Sequence, residues 1–553
     1  MSRIIYYFIL ATAVLMWTDS PTMAMDAKEA KGQIAPVLKD LGSVHLAITT
    51  SSERAQQFFD QGFALAYAFW WAESRRSFQE AARLDPESPM AYWGQALAFG
   101  PYLNRGSPSE KDLTTAYHAI QKAIKFKDNA TEKERAYISA LSTRFAKDPA
   151  SPRKPLDEAY ARAMEEVAQR YPDDLHAQTL AAAAMMNTTR WVYWNKDGSP
   201  KPITEKFVAL LESVIERDPT LTGANHYYIH AVESSQTPSL GVPSADRLGK
   251  LAPGAGHLVH MPGHIYLRVG RYADATEANI RATNADEDYM VQCATQGIYP
   301  VGSYHHNTHF LWAASALEGR SQVAMNAAEQ VGNKVKENYP HAAHKNSSRL
   351  QAWMSVPYNA RVRFGQWQTI LKEPPPSEDL RYITGMWHYA RGIALTALGR
   401  VDEAGGQLSQ LEDIAHNDKL GRLGFVPAND VMKIAYHVLA GELAAKQKAY
   451  DDAITHLKEA VNLQDNLPYI EPPPWYYPTR QSLGAVLLEA EKPAEAEAVY
   501  RKDLTVNPDN GWSLFGLLKS LRAEGKMEAA RDVEIRFQRA WARADITLTS
   551  SRF

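Results

Sequence analysis

The chain has 553 residues, 45% of them hydrophobic and 22% charged, with a formal net charge of −3. That length exceeds what one compact core normally holds, so several domains or an open repeat array are expected. With no dominating basic patch, the composition excludes an electrostatic footprint for nucleic acid or for an anionic lipid surface.

The N-terminus comes first. Arg3 precedes the apolar run Ile4 to Trp17, and polar residues lead on to Thr22-Met23-Ala24. A positive start, a brief apolar core and a small residue before the cut site describe a secretory signal peptide. The run is too short to span a bilayer comfortably, and no later stretch offers a second candidate. Residues 1–24 are therefore read as a signal peptide cleaved near Ala24. The mature chain is expected to be exported and periplasmic, with no integral membrane segment. The single cysteine, Cys293, can form no internal disulfide. Helix packing must then hold the fold, and Cys293 is either a buried structural thiol or a cap on a metal site.

Along the mature chain, a helix–turn–helix spelling recurs with a period of about 34 residues. Ala55 to Pro86 fits, with Gly62, Ser74, Phe78 and Ala81 as packing residues and Asp85-Pro86 as the stop. Tyr171-Pro172 and Asp218-Pro219 repeat that stop. Later units are better formed: Gly270 with Ala273 and Ala275, Gly319 with Ala324, Gly365 with Trp367, Gly399 with Ala404, Tyr450 with Ala453, and Gly525 with Ala530. Asn187 to Lys201 reads as a loop or short hairpin turning at Asp197-Gly198. Pro-rich Glu373 to Ser377 and Glu471 to Pro474 read as loops between repeats; Glu471 to Arg480 is rigid and aromatic enough for a groove wall or partner surface.

Ala91 to Gly94 spell AYWG, and His257 to Ile265 spell H-x-x-H-M-P-x-H-I. On these motifs the chain resembles a widespread exported bacterial tetratricopeptide-repeat (TPR) family, over nearly the whole mature chain through Asn510-Gly511-Trp512. The resemblance implies the fold and no particular activity. The expected fold is all-α: a TPR-like α-solenoid of some eight to ten antiparallel helix pairs forming a superhelix. Residues 25–220 are read as N-terminal repeats, 221–345 as a central His-rich unit and 346–553 as C-terminal repeats.

Histidines are concentrated in that central unit. Eight of the 17 fall between residues 226 and 309. His226, His230 and Glu233 are spaced i, i+4, i+7, which on a helix puts them within about 60° of one another. His257, His260 and His264 are spaced i, i+3, i+7, and His306 and His309 are i, i+3. Three segments thus each present an imidazole stripe. Pro262-Gly263 interrupts the second stripe; a proline restart there would leave His257 and His260 on an approach loop. The repeat register that the resemblance implies places all three stripes in the concave groove, where they would converge.

Neutral imidazole is a good ligand for zinc, copper, iron and nickel. His226, His230, His257, His260, His264, His306 and His309 are therefore candidate ligands of a transition metal, with copper, zinc and iron the leading choices. They suffice for two ions, or for one ion with an outer shell. Glu233 is a candidate catalytic group: a ligand, a general base on metal-bound water, or the orienter of a ligand histidine. A metal-dependent oxidase or hydrolase follows. The alternatives are a non-catalytic scaffold holding a peptide, protein or small molecule in the groove, and a metal carrier or buffer. Trp191 and Trp194 form an apolar lid or simply pack, and the nine histidines outside residues 226–309 are read as packed or solvated.

Overall fold

The computed structural model describes residues 32–104, 106–195, 197–293, 303–338, 347–417 and 419–553. The expected signal peptide, the segment around Tyr299, His341 and His344 lie outside the described residues, as does the side chain of Cys293.

The protein is an all-α, TPR-like solenoid of antiparallel helix pairs. Its helices pair into twelve hairpins among the described residues, from Glu53–Tyr67 with Trp71–Leu84 to Gly511–Ala523 with Met527–Ala540. The expected eight to ten fell short because some pairs hide their period. Ser348–Arg363 is followed by the short helix Trp367–Lys372, and Thr222–Val232 is linked to Val242–Leu251 through a 3-10 turn.

Turn chemistry closes the hairpins. Gly270, Gly319, Gly365, Gly399 and Gly525, all read from sequence, take positive φ between the two helices of their pairs. Three other hairpins place Phe69 (φ 58°), Lys448 (φ 64°) and Glu491 (φ 59°) at the same position. A side chain in this left-handed conformation costs about 1–2 kcal/mol, which is why glycine is the usual choice.

Of the expected Asn187–Lys201 loop, Asn187 to Thr189 still belong to helix Leu175–Thr189; beyond them Trp194 bridges Pro200 and Gly198 turns at φ 85°, as expected of a short hairpin. One small antiparallel pair, Arg422–Leu423 with Val426–Pro427, was not signalled by any strand pattern.

Both arms of the solenoid fold onto the central hairpins. On the N-terminal side Gly254 donates its amide to the Asp40 carbonyl at 2.8 Å, and Trp70 stacks on Tyr289 at 3.8 Å. On the C-terminal side the Trp512 indole donates to the Ala316 carbonyl at 3.0 Å, and the Tyr469 hydroxyl to the Glu233 carbonyl at 3.3 Å. Two apolar clusters follow this division, one spanning Ala35 to Ala314 and one Leu311 to Leu548. They meet within helix Ser303–Glu318, so the histidine segments lie where the arms converge.

Candidate metal centre

Helix Thr222–Val232 is buried along its whole length. A helix enclosed on all faces is normally apolar, yet this one carries Asn225, His226, Tyr227, Tyr228 and His230, so each polar group must find a partner inside the protein. His226 finds the Tyr67 carbonyl: Nδ1 lies 2.6 Å from it. Tyr67 is the last residue of helix Glu53–Tyr67, where carbonyls lack an intrahelical partner.

The second stripe is helical despite Pro262. Gly256–His260 and Pro262–Arg268 run into one another through Met261, which has helical angles (φ −50°, ψ −37°). His257 and His260 therefore sit on a short helix that leads into the one starting at Pro262, and not on an approach loop. Gly263 has a clear reason: a Cβ there would lie 2.7 Å from Asn279 Nδ2. Its absence lets Asn279 come close enough to take His260 Nδ1 at 2.7 Å.

Six of the seven predicted histidines are brought together, in two groups of three. One is His226, His230 and His257; the other is His260, His264 and His306; the potential donor atoms within each group lie within 4.8 Å of one another. Three nitrogens bound to one ion at about 2 Å are about 3–3.5 Å apart, so only small side-chain movements separate either group from a coordination shell. The groups adjoin: ring centroids are 6.0 Å apart for both His257–His260 and His230–His264. His309 belongs to neither group and stacks on Trp312 at 5.6 Å.

Glu233 spans the two groups. Its Oε1 is 3.1 Å from His230 Nδ1 and its Oε2 is 3.1 Å from His264 Nδ1. A second carboxylate, Glu471, takes His264 Nδ1 at 2.8 Å. Sequence reasoning missed Glu471 and Asn279. Glu471 lies in the proline-rich loop, 207 residues from His264, and no spacing rule links the two.

Burial is the main electrostatic force. It holds His226, His230, His257, His260 and His306 well below the usual imidazole range, helped by neighbouring imidazoles. These rings are neutral at neutral pH, which is the ligating form. Burial also pulls His264 down, but the charge of Glu233 and the hydrogen bond and charge of Glu471 outweigh it and hold the ring above its usual value. Burial pushes Glu233 up to about 7, against His264 and Arg268.

Proton placement decides what the arrangement can do. His260 Nδ1 faces Asn279 Oδ1, whose identity is set because Asn279 Nδ2 donates to the Ala275 carbonyl at 2.8 Å. His264 Nδ1 faces two carboxylates. Both rings must therefore carry hydrogen on Nδ1 and, when neutral, present bare Nε2 lone pairs. Those two Nε2 atoms are 2.9 Å apart. Two lone pairs that close repel unless a cation lies between them, either a proton on His264 or a metal ion. In the first group, His226 and His257 Nε2 approach to 3.1 Å, and buried His230 Nε2 has no hydrogen-bond partner. Ligand histidines held through Nδ1 by carboxylate, amide or carbonyl oxygen, with Nε2 free, have the outer-shell pattern of protein metal sites.

No helix among the described residues is long and apolar enough to cross a membrane. No protein-family profile matches the chain, and no curated protein does. Among solved structures, it is similar to yeast Tom70, at 13% identity and a TM-score of 0.28, covering 88% of this chain and 91% of that one. It is also similar to a human IFIT1 dimer with m7Gppp-AAAA, at 14% identity and a TM-score of 0.31, covering 90% and 92%.

Proposed function

We propose that this TPR-like solenoid is a periplasmic metalloprotein. It would hold two transition-metal ions, one on His226, His230 and His257 and one on His260, His264 and His306. The observation that carries the reading is the close approach of the His260 and His264 Nε2 atoms, 2.9 Å apart with both Nδ1 atoms turned to acceptors. Imidazole donors favour zinc, copper or iron over magnesium, calcium or manganese. The position of Glu233 between two Nδ1 atoms supports a role in orienting ligands, with Glu471 as its counterpart. A pair of adjacent ions suits a metal-dependent oxidase if they are copper or iron, and a hydrolase if they are zinc.

The test is elemental analysis of the mature chain, purified without a histidine tag, beside a His260→Ala/His264→Ala variant. The wild type is expected to carry more than one equivalent of metal. The variant is expected to lose part of it while keeping its circular dichroism. Wild-type protein that arrives metal-free and takes up no zinc, copper or iron on titration would overturn the proposal and leave a solenoid that binds a peptide, protein or small molecule.

A further inference from the structure

The two imidazole groups are not equally enclosed. His226, His230 and His257 are 0%, 1% and 4% exposed, whereas His306, at the edge of the other group, is half-buried. Two aromatic rings close the first group. Phe69 lies against all three of its histidines, with centroids 4.4 Å from His226, 5.9 Å from His230 and 5.3 Å from His257. Its plane is 8° from that of His230. Trp191 meets His230 at 5.0 Å and 82°, and its indole is fixed by donating to the Leu103 carbonyl at 3.0 Å.

The backbone shows that this closure is specified. Phe69 and Trp191 both have positive φ, 58° and 62°, an unfavourable conformation for a bulky side chain. Phe69 occupies the hairpin-turn position where five other hairpins use glycine. The turn itself therefore does not need a phenyl ring, and the one there packs on the three histidines as well as on Trp71 and Tyr227. Strain of this kind persists where the surroundings impose it, and it clusters at functional sites. The same turn also ends helix Glu53–Tyr67 at the carbonyl that receives His226.

On the other side the environment differs. Beside the second group, Arg349 stacks over Trp353, which in turn stacks on His305, the residue before His306.

We propose that Phe69 and Trp191 seal the first imidazole group, so that a small exogenous metal-coordinating ligand reaches metal only at the His260–His264–His306 group, from its His306 side. Phe69 and Trp191 are positioning residues, since they touch ligand side chains and not the metal. The inference rests on the metalloprotein reading above.

The test uses full-length mature protein loaded with cobalt(II), whose visible absorption responds to a change of ligand, and azide as the probe. In the wild type, azide is expected to perturb part of the cobalt signal and leave the rest unchanged. His260→Ala/His264→Ala, with cobalt in the first group only, is expected to be silent to azide. Adding Phe69→Ala or Trp191→Ala should open that group, so that azide now changes its cobalt spectrum. Phe69→Leu, which keeps apolar bulk at the same turn, covers the case in which the alanine variant fails to fold, and should give a smaller change. Wild-type cobalt that responds uniformly to azide, or a first group that responds before either ring is removed or stays silent after, would overturn the sealing. Failure to take up cobalt at all would instead overturn the metal reading.

Discussion

His264 shows how much one side chain depends on its neighbours. It lies on the second imidazole stripe, hydrogen-bonds Glu471 through Nδ1 with Glu233 Oε2 at 3.1 Å, and offers Nε2 to the second group. Outer-shell partners of this kind typically change metal affinity by about 10–100-fold. Glu471→Gln is accordingly expected to weaken metal binding by about that factor while leaving the helical signal intact, as read by competition with a chelator; unchanged affinity would assign Glu471 to packing alone. A second buried carboxylate makes a prediction about pH. Asp503 accepts from Ser513 at 2.5 Å and from Asn507 at 3.0 Å, and burial pushes it up to about 6 despite those bonds. Its unfolded value is about 3.9. The folded chain thus holds this proton more tightly than the unfolded one, and stability is lost as pH rises from about 4 to about 6. Asp503→Asn should be more stable than the wild type by up to about 3 kcal/mol at neutral pH, with the gain shrinking toward pH 4. Urea unfolding across that range checks it, and a gain independent of pH would refute the assigned cause.

Among the elements, the hairpin turns separate backbone geometry from packing. Gly399 has φ 78°, and a Cβ there would touch only the end of Lys446, at 4.0 Å. Gly399→Ala therefore isolates the left-handed conformation and is expected to cost about 1–2 kcal/mol. Gly406 lies inside helix Val401–Asn417, where an added Cβ meets nothing within 4 Å. Gly406→Ala is expected to stabilise by about 1 kcal/mol. Thermal melts of the two variants should move in opposite directions; a shared direction would mean that turn conformation does not decide these positions. The five turn glycines were readable because their chemistry is local. Phe69, Lys448 and Glu491 make the same turn without glycine, so their hairpins give a weaker signal.

Across the whole molecule, the central unit is clamped by both arms. The N-terminal arm supplies Phe69 and the Tyr67 carbonyl, and the C-terminal arm supplies Glu471. Metal bound to the folded form alone adds stability by mass action, and here it should do so at segments far apart in sequence. Loading is expected to slow amide exchange both around residues 64–70 and around residues 467–480, with the second effect lost in Glu471→Gln; protection confined to the central helices would show that the arms fold independently of the site. Trp512 ties the C-terminal arm down. It is fully buried, Arg363 lies 3.5 Å from its ring centre, and its indole bonds Ala316 on the helix that carries His306. Trp512→Ala should cost about 3–5 kcal/mol, measured by denaturant unfolding.

The sequence by itself determined the helical repeat, five of its turns and six of the histidines that meet at the site. Periodicity carries that much because a residue's direction on a helix follows from its number alone. It also placed Glu233 on the face of His226 and His230. Only the tertiary structure decided how those histidines divide into two groups, that His309 turns to Trp312 instead, and that His257 and His260 lie on a short helix of their own before Pro262 starts the next. It alone brought Glu471, Asn279 and the Tyr67 carbonyl to the ring nitrogens. These partners come from separate helices and from a loop 207 residues away. Their meeting depends on the angle accumulated over many stacked hairpins, and no local spacing encodes that angle.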